Sequence, residues 1–193
     1  RPWDISREIL SKEGAGAAIL EYLCKFTQIF HHVQTTQLNL PAFEPRIRPD
    51  SDSRRGGYEI FDPLRRRWVA LTPEEWVRQH FVNFLVEHRG YPAALMANET
   101  SIRLNGLSRR CDSVAYSRTL KPVAVVEYKA PSVAISQKVF DQIARYNIVI
   151  GAPCLIVSNG IRHYCCRFDE GSYRFLPDIP AYADLESWQI SNQ

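Results

Sequence analysis

Glu127 and Lys129 stand two residues apart at the end of the apolar run Pro122-Val123-Ala124-Val125-Val126, immediately before Ala130-Pro131. The run is short, rich in valine and closed by proline, which predicts a buried strand. Alternation along a strand sends Val123, Val125, Glu127 and Lys129 to one side, and Ala124, Val126 and Tyr128 to the other. An apolar strand therefore delivers a carboxylate and an ammonium side by side. Burying either charge alone is costly, so the pair reads as a structural ion pair or as a cation site with a lysine beside it.

Asp112 supplies a second carboxylate. Asn105-Gly106 is a strong hairpin signal, Cys111 to Tyr116 reads as the next strand, and Leu120-Lys121-Pro122 leads into the strand that carries Glu127. Three consecutive strands then bring Asp112 to the same rim. Two carboxylates with backbone carbonyls and water make the oxygen environment a hard divalent cation takes, and the lysine is suited to orient or deprotonate a water. Alternatively, Asp112 is a strand-start aspartate paired with Arg109 or Arg110.

The flanking elements must hold this rim. Tyr58 to Phe61 and Trp68 to Leu71 predict a small hairpin. A helix over 73–88 follows, with Thr72 as cap, Pro73 in its first turn and Glu75 three residues after the cap. Val77, Phe81, Phe84 and Leu85 face a core, and Gly90-Tyr91-Pro92 ends the helix. Pro131 to Ile150 reads as a crossover helix starting near Ala134, with Gln142 and Tyr146 neighbours along one face that approaches the end of the key strand. Cys154 to Val157 is a buried strand parallel to the key strand, Asn159-Gly160 turns into Arg162 to Phe168, and Tyr173 to Leu176 extends the sheet edge. His163 is read as facing solvent or a strand neighbour.

Asp112, the Glu127-Tyr128-Lys129 triplet fifteen residues later and the run Gln142-Ile143-Ala144-Arg145-Tyr146 together resemble the PD-(D/E)xK nuclease superfamily, in particular the nuclease domain at the N terminus of type I restriction enzyme R subunits. The resemblance spans roughly Tyr58 to Leu185 and includes the wording of Leu71 to Gln79 and Asp178-Ile179-Pro180. It implies an α/β fold, a mixed-sheet restriction-endonuclease-like core, here with an N-terminal helical extension. It further implies that Asp112 and Glu127 hold Mg2+, with Mn2+ as substitute, that Lys129 assists the attacking water, and that Gln142 and Tyr146 support the site or engage DNA. An acid on the first core helix often reaches the metal in such nucleases, which makes Glu75 a further metal candidate beside its capping role; Glu99 competes for the same place. Cys111 stands where the family has proline, a change expected to affect packing.

The implied activity is Mg2+-dependent endonucleolytic hydrolysis of DNA, in restriction or genome defence. The alternatives are a catalytically weak or inactive DNA-binding or assembly module of a restriction-type complex, and an RNA nuclease. The expected partners are DNA and either a second copy or a restriction-type complex. The chain has 193 residues, 45% of them hydrophobic, enough for one core plus an appendage and too few for an ATP-driven motor, whose Walker pattern is absent. A net charge of +3 says little, but local runs at Arg65, Arg66 and Arg67 and at Arg109 and Arg110, with Arg103 nearby, suit phosphate contacts or else a solvated basic face.

Five cysteines form neither a zinc pattern nor a disulfide framework, which fits reduced thiols in a cytoplasmic protein. No signal peptide or run of transmembrane length is visible. The chain begins without methionine, which leaves room for a removed segment or a further domain. Residues 1–57 are expected to form a helical extension and linker: Ile19, Leu20, Leu23, Phe26, Phe30 and Val33 make an apolar stripe that would brace the core or a second protomer, and Pro41, Pro45, Pro49 and Gly56-Gly57 mark the break. The nuclease domain is placed at 58–185 and a tail at 186–193.

Overall fold

The computed structural model describes residues 37–50, 57–104, 107–169 and 171–191. The expected N-terminal helices, with Cys24 and the His31-His32 pair, lie outside the described residues. Two sheets are present among the described residues. A small antiparallel one joins β1 (Ile47–Pro49), β2 (Tyr58–Asp62) and β3 (Arg67–Ala70). The larger has six strands in chain order: β4 (Met96–Leu104), β5 (Leu107–Tyr116), β6 (Pro122–Tyr128), β7 (Cys154–Ser158), β8 (His163–Asp169) and β9 (Ser172–Leu176). Every neighbouring pair in it is antiparallel except β6 and β7, which run parallel. The sheet is therefore mixed, as expected.

Three helices cover this sheet: α1 (Pro73–Arg89), α2 (Gln137–Ile150) and α3 (Tyr182–Ser191). Thr72 caps α1 by accepting from the Glu75 amide at 3.0 Å, and Gly90, with φ of 71°, ends the helix in a left-handed conformation that glycine adopts without strain. Val77, Phe81 and Leu85 of α1 and Tyr182 and Leu185 of α3 bury against Ala124, Val126 and Tyr128 of β6. On the other face, Val139 and Ile143 of α2 pack on Val125, Leu155 and Val157. The strand alternation read for β6 thus separates two apolar layers. Val123 departs from it and joins the first layer.

Helix α2 starts at Gln137, three residues later than expected, because after the turn at 131–133 the chain stays non-helical through 134–136, with the N-cap Ser136 extended. A compact unit extends on both sides of residues 58–185. Leu38 and Leu40 pack against the first layer, and β1 lies within the stretch expected as linker. The unit begins at Leu38. At the other end α3 carries the chain through residue 185 to Ser191, with Leu185 buried and Trp188 packed beside it. Among the described residues, no helix is long and apolar enough to cross a membrane.

Candidate active site

The rim is built where β5 and β6 stop pairing. Their ladder ends at Ser113 opposite Val126, and one further step sets Asp112 across from Glu127 on the α2 side of the sheet. The Tyr128 amide turns to Asp112 instead, donating to Oδ2 at 2.7 Å. Lys129 follows, its amide bonded to the Ser158 carbonyl at 2.9 Å, which carries the β6 and β7 pairing past the last strand residue. Its ammonium reaches Glu127 Oε1 at 2.7 Å, and Gln142 Nε2 donates to the same oxygen at 2.7 Å. Gln142 also lies 3.3 Å from the Tyr146 hydroxyl one turn along α2. Four of the expected site residues therefore form one hydrogen-bonded set around Glu127, with Asp112 alongside.

Electrostatics follow from burial. Glu127 is 3% exposed, and that burial, reinforced by the charge of Asp112, pushes its carboxyl up to about 7 despite the hydrogen bond from Lys129. Asp112 is raised for the same first reason, with Arg78 pulling the other way. Burial opposes the charge on Lys129, yet the hydrogen bond and charge of Glu127 prevail and hold it above its ordinary value.

Arg78 was not among the residues expected here, and it is central. Its Nη2 lies 2.8 Å from Asp112 Oδ1 and 2.9 Å from Glu99 Oε1, while Nη1 lies 2.6 Å from Glu75 Oε2. The sequence offers only an arginine three residues after Glu75; the structure shows that residues 75–82 are all buried, so this arginine cannot be a solvated charge. Glu99 sits across from Asp112 between the pairs Asn98 with Ser113 and Thr100 with Cys111. Its φ of 57° places it in the left-handed region, a conformation that costs a non-glycine residue about 1–3 kcal/mol. Its second oxygen meets Arg110 at 2.7 Å. Burial would raise its pKa, but the Arg110 hydrogen bond and the Arg78 charge hold it below the usual range.

Glu75 is placed differently from the metal ligand it was expected to be. Its oxygens accept from Arg65 at 2.8 Å, Gln79 at 2.7 Å and Arg78 at 2.6 Å, so its carboxylate is spent on fixing α1 and the cation beside it. The neighbouring Glu74 is the α1 acid that feels the rim: burial, then the charge of Asp112, raise its pKa, and Lys129 lowers it.

Arg65 also corrects an expectation. Its side chain is 13% exposed and turned inward to Asp62 and Glu75, because the fully buried Asp62 carboxylate requires a cation. Asp62 accepts as well from Asn98, whose oxygen takes the Ser113 hydroxyl at 2.5 Å, so the turn between β2 and β3 is tied to the strands beneath the rim. Arg66 and Arg67 are placed on that turn and at its exit, both exposed. Arg103, Arg109 and Arg110 are exposed on β4 and β5, which continue pairing to Leu104 and Leu107 after β5 has left β6. The result is a two-stranded ribbon standing beyond the rim.

As donors, Asp112 and Glu127 suit a hard cation: two neighbouring carboxylates, one buried and one half-buried, that repel each other. Among the described residues, however, no group of three or more His, Cys, Asp and Glu side chains is gathered to hold a metal. Arg78 and Lys129 sit on the oxygens concerned. His163 is no ligand candidate either, since it bonds Ser158 Oγ at 2.8 Å and the Asn39 carbonyl at 2.9 Å.

Comparison with known proteins accords with this geometry. The family described as type I restriction enzyme R protein N terminus matches residues 73–180, which contain α1, the rim and α2. A solved fragment of a protein assigned as an HsdR subunit of a type I restriction enzyme, from Vibrio vulnificus YJ016, is similar with a TM-score of 0.51 at 18% identity, a likeness of fold alone. The aligned part covers 63% of this chain and 26% of that one, so the likeness spans about a quarter of the solved fragment's length. Among curated proteins, none matches. By the family match over more than half of its length, the chain belongs to the type I restriction enzyme R protein N-terminal family.

Proposed function

We propose that this chain is a Mg2+-dependent DNA nuclease domain of a restriction-type system, with Asp112 and Glu127 holding the cation and Mn2+ serving as substitute. The observation that carries the reading is the convergence of Lys129 and Gln142 on the buried Glu127, beside Asp112. The bound cation would supply Lewis-acid polarisation of the scissile phosphate and stabilise charge developing on its oxygens. Lys129, kept protonated by Glu127, donates to and orients the attacking water; it does not take the water's proton in this state. Gln142 fixes Glu127, and Tyr146 fixes Gln142. As the water oxygen bonds to phosphorus its proton passes to solvent, and the P–O bond opposite it breaks with the departing oxygen taking up a proton from solvent, leaving a phosphate on one end and a hydroxyl on the other.

DNA is the favoured polymer because a two-stranded ribbon bearing exposed Arg103, Arg109 and Arg110 fits the major groove of B-form DNA, whereas the major groove of an RNA helix is too narrow. A second reading, a DNA-binding or assembly module without turnover, is favoured by one observation: both oxygens of Asp112 are already engaged, by Arg78 and by the Tyr128 amide.

Single-turnover cleavage of duplex, single-stranded and branched DNA and of RNA, in Mg2+ or Mn2+ against chelator, separates these. The nuclease reading expects cation-dependent cleavage of DNA that Lys129→Ala reduces at least a hundredfold, with DNA affinity in Ca2+ within about threefold of wild type. Tight DNA binding with no cleavage of any substrate supports the module instead. Cleavage confined to RNA overturns the choice of polymer.

A further inference from the structure

Arg78 has a place in this site beyond that of an ordinary ion pair. Only 4% of its side chain is exposed, and its two terminal nitrogens are committed differently. Nη1 is anchored on Glu75, which Arg65 and Gln79 fix in turn. Nη2 spans the two rim acids Asp112 and Glu99, and Nε is buried without a hydrogen-bond partner. The guanidinium is therefore held firmly on its inner side, incompletely satisfied in the middle, and bound on its outer side to an oxygen of the proposed cation ligand.

The acids around the rim are Glu74, Glu99, Asp112 and Glu127. The cations facing them are Arg78 and Lys129, with Arg110 outside. We propose that Arg78 is a positioning residue and a built-in competitor of the divalent cation. Its Nη2 holds Asp112 while no cation is bound and leaves Asp112 Oδ1 when one binds, with Nη1 remaining on Glu75. This rests on the reading of Asp112 and Glu127 as cation ligands. Competition has a physical basis: a guanidinium and a dication that share one carboxylate repel each other, by enough to change cation affinity more than tenfold at the effective dielectric of a protein surface. Arg78 thus sets the cation concentration at which the rim closes around its ligand.

Mn2+ binding to wild type, Arg78→Gln and Arg78→Lys, measured by titration calorimetry at pH 8, tests the proposal. Arg78→Gln is expected to bind Mn2+ at least tenfold more tightly than wild type. Arg78→Lys, which keeps the charge as a compact ammonium, is expected to stay within about threefold. In parallel, the side-chain nitrogen resonances of Arg78 in the wild-type protein are expected to shift on Mg2+ saturation while those of Arg65 do not. Mn2+ binding that is unchanged or weaker in a folded Arg78→Gln protein overturns the proposal and leaves the cation reading standing. Absence of Mn2+ binding in all three proteins overturns both. If Arg78→Gln loses its cooperative melt, the wild-type spectra decide: an Arg78 resonance unmoved by saturating Mg2+, with other rim resonances shifted, refutes the competitor role.

Discussion

Lys129 keeps its charge because Glu127 lies 2.7 Å away, and Glu127 carries the electrostatic strain of the pair. Its pKa is raised from 4.5 to about 7, first by burial and then by Asp112. A raised native pKa means that folding takes up a proton, so this contribution is complete below pH 4.5 and lost as pH rises through 7. Buried His80 and His163, whose pKa values are lowered by burial, act in the opposite direction over part of that range. The comparison must therefore be between wild type and Glu127→Gln without divalent cations. We expect the variant to gain about 1–3 kcal/mol relative to wild type between about pH 5 and pH 8, read from urea unfolding at each pH. Parallel profiles for the two proteins would contradict the raised pKa. Glu74 and Glu75 should separate cleanly. Glu75→Ala leaves Arg65 and Arg78 without their shared anion and is expected to cost about 3–5 kcal/mol of stability. Glu74→Gln should change stability by less than about 1 kcal/mol and act on cation-dependent cleavage instead. Thermal melts and single-turnover rates on both variants check this.

At the level of elements, the ribbon of β4 and β5 and the turn between β2 and β3 present arginines near the rim. Replacing Arg103, Arg109 and Arg110 by alanine should weaken DNA binding across sequences. It should also reduce the slope of log affinity against log salt by about 0.9 for each phosphate that is no longer neutralised. Arg66 and Arg67 together should show a similar, smaller effect if the turn follows the same backbone. Arg65→Ala should behave otherwise, lowering stability with little change in salt slope, because its charge is consumed by Asp62 and Glu75. Fluorescence anisotropy at several salt concentrations distinguishes the two behaviours. A full salt slope retained in the triple variant would identify the ribbon as a solvated face.

The molecule as a whole depends on the stretch before Tyr58 more than its prolines and glycines suggest. Leu38 and Leu40 pack on the α1 layer, the Asn39 amide bonds the Gly160 carbonyl at 2.7 Å, and its carbonyl holds His163. Gly160, with φ of 81°, is required there: a Cβ would stand 2.6 Å from Leu38 Cδ2. A protein starting at Leu38 is therefore expected to unfold cooperatively in urea. One starting at Tyr58 should be destabilised by several kcal/mol, with a lower midpoint, since two leucines, a strand and these hydrogen bonds are removed. Equal midpoints would show that the domain begins later than Leu38.

Local patterning is enough to read β6, the hairpin of β4 and β5, the capped α1 and the crossover to β7, because each is written in periodicity and turn chemistry along a continuous stretch. The neighbourhood of Glu127, Lys129, Gln142 and Tyr146 follows from strand alternation and a four-residue helical spacing. Asp112 needs only the register of one hairpin. The sequence does not assign partners to the arginines. Arg65 in a basic run and Arg78 within a helix look like solvated charges, yet the fold buries acids at Asp62 and Glu75 and half-buries Asp112, their desolvation demands cations, and these two lie within reach. Nor does it separate Glu74 from Glu75, which differ by about 100° around the helix and so by which neighbours tertiary packing gives them. Charge identity and local spacing are properties of the chain, whereas the pairing of buried charges is decided only when distant elements close around them.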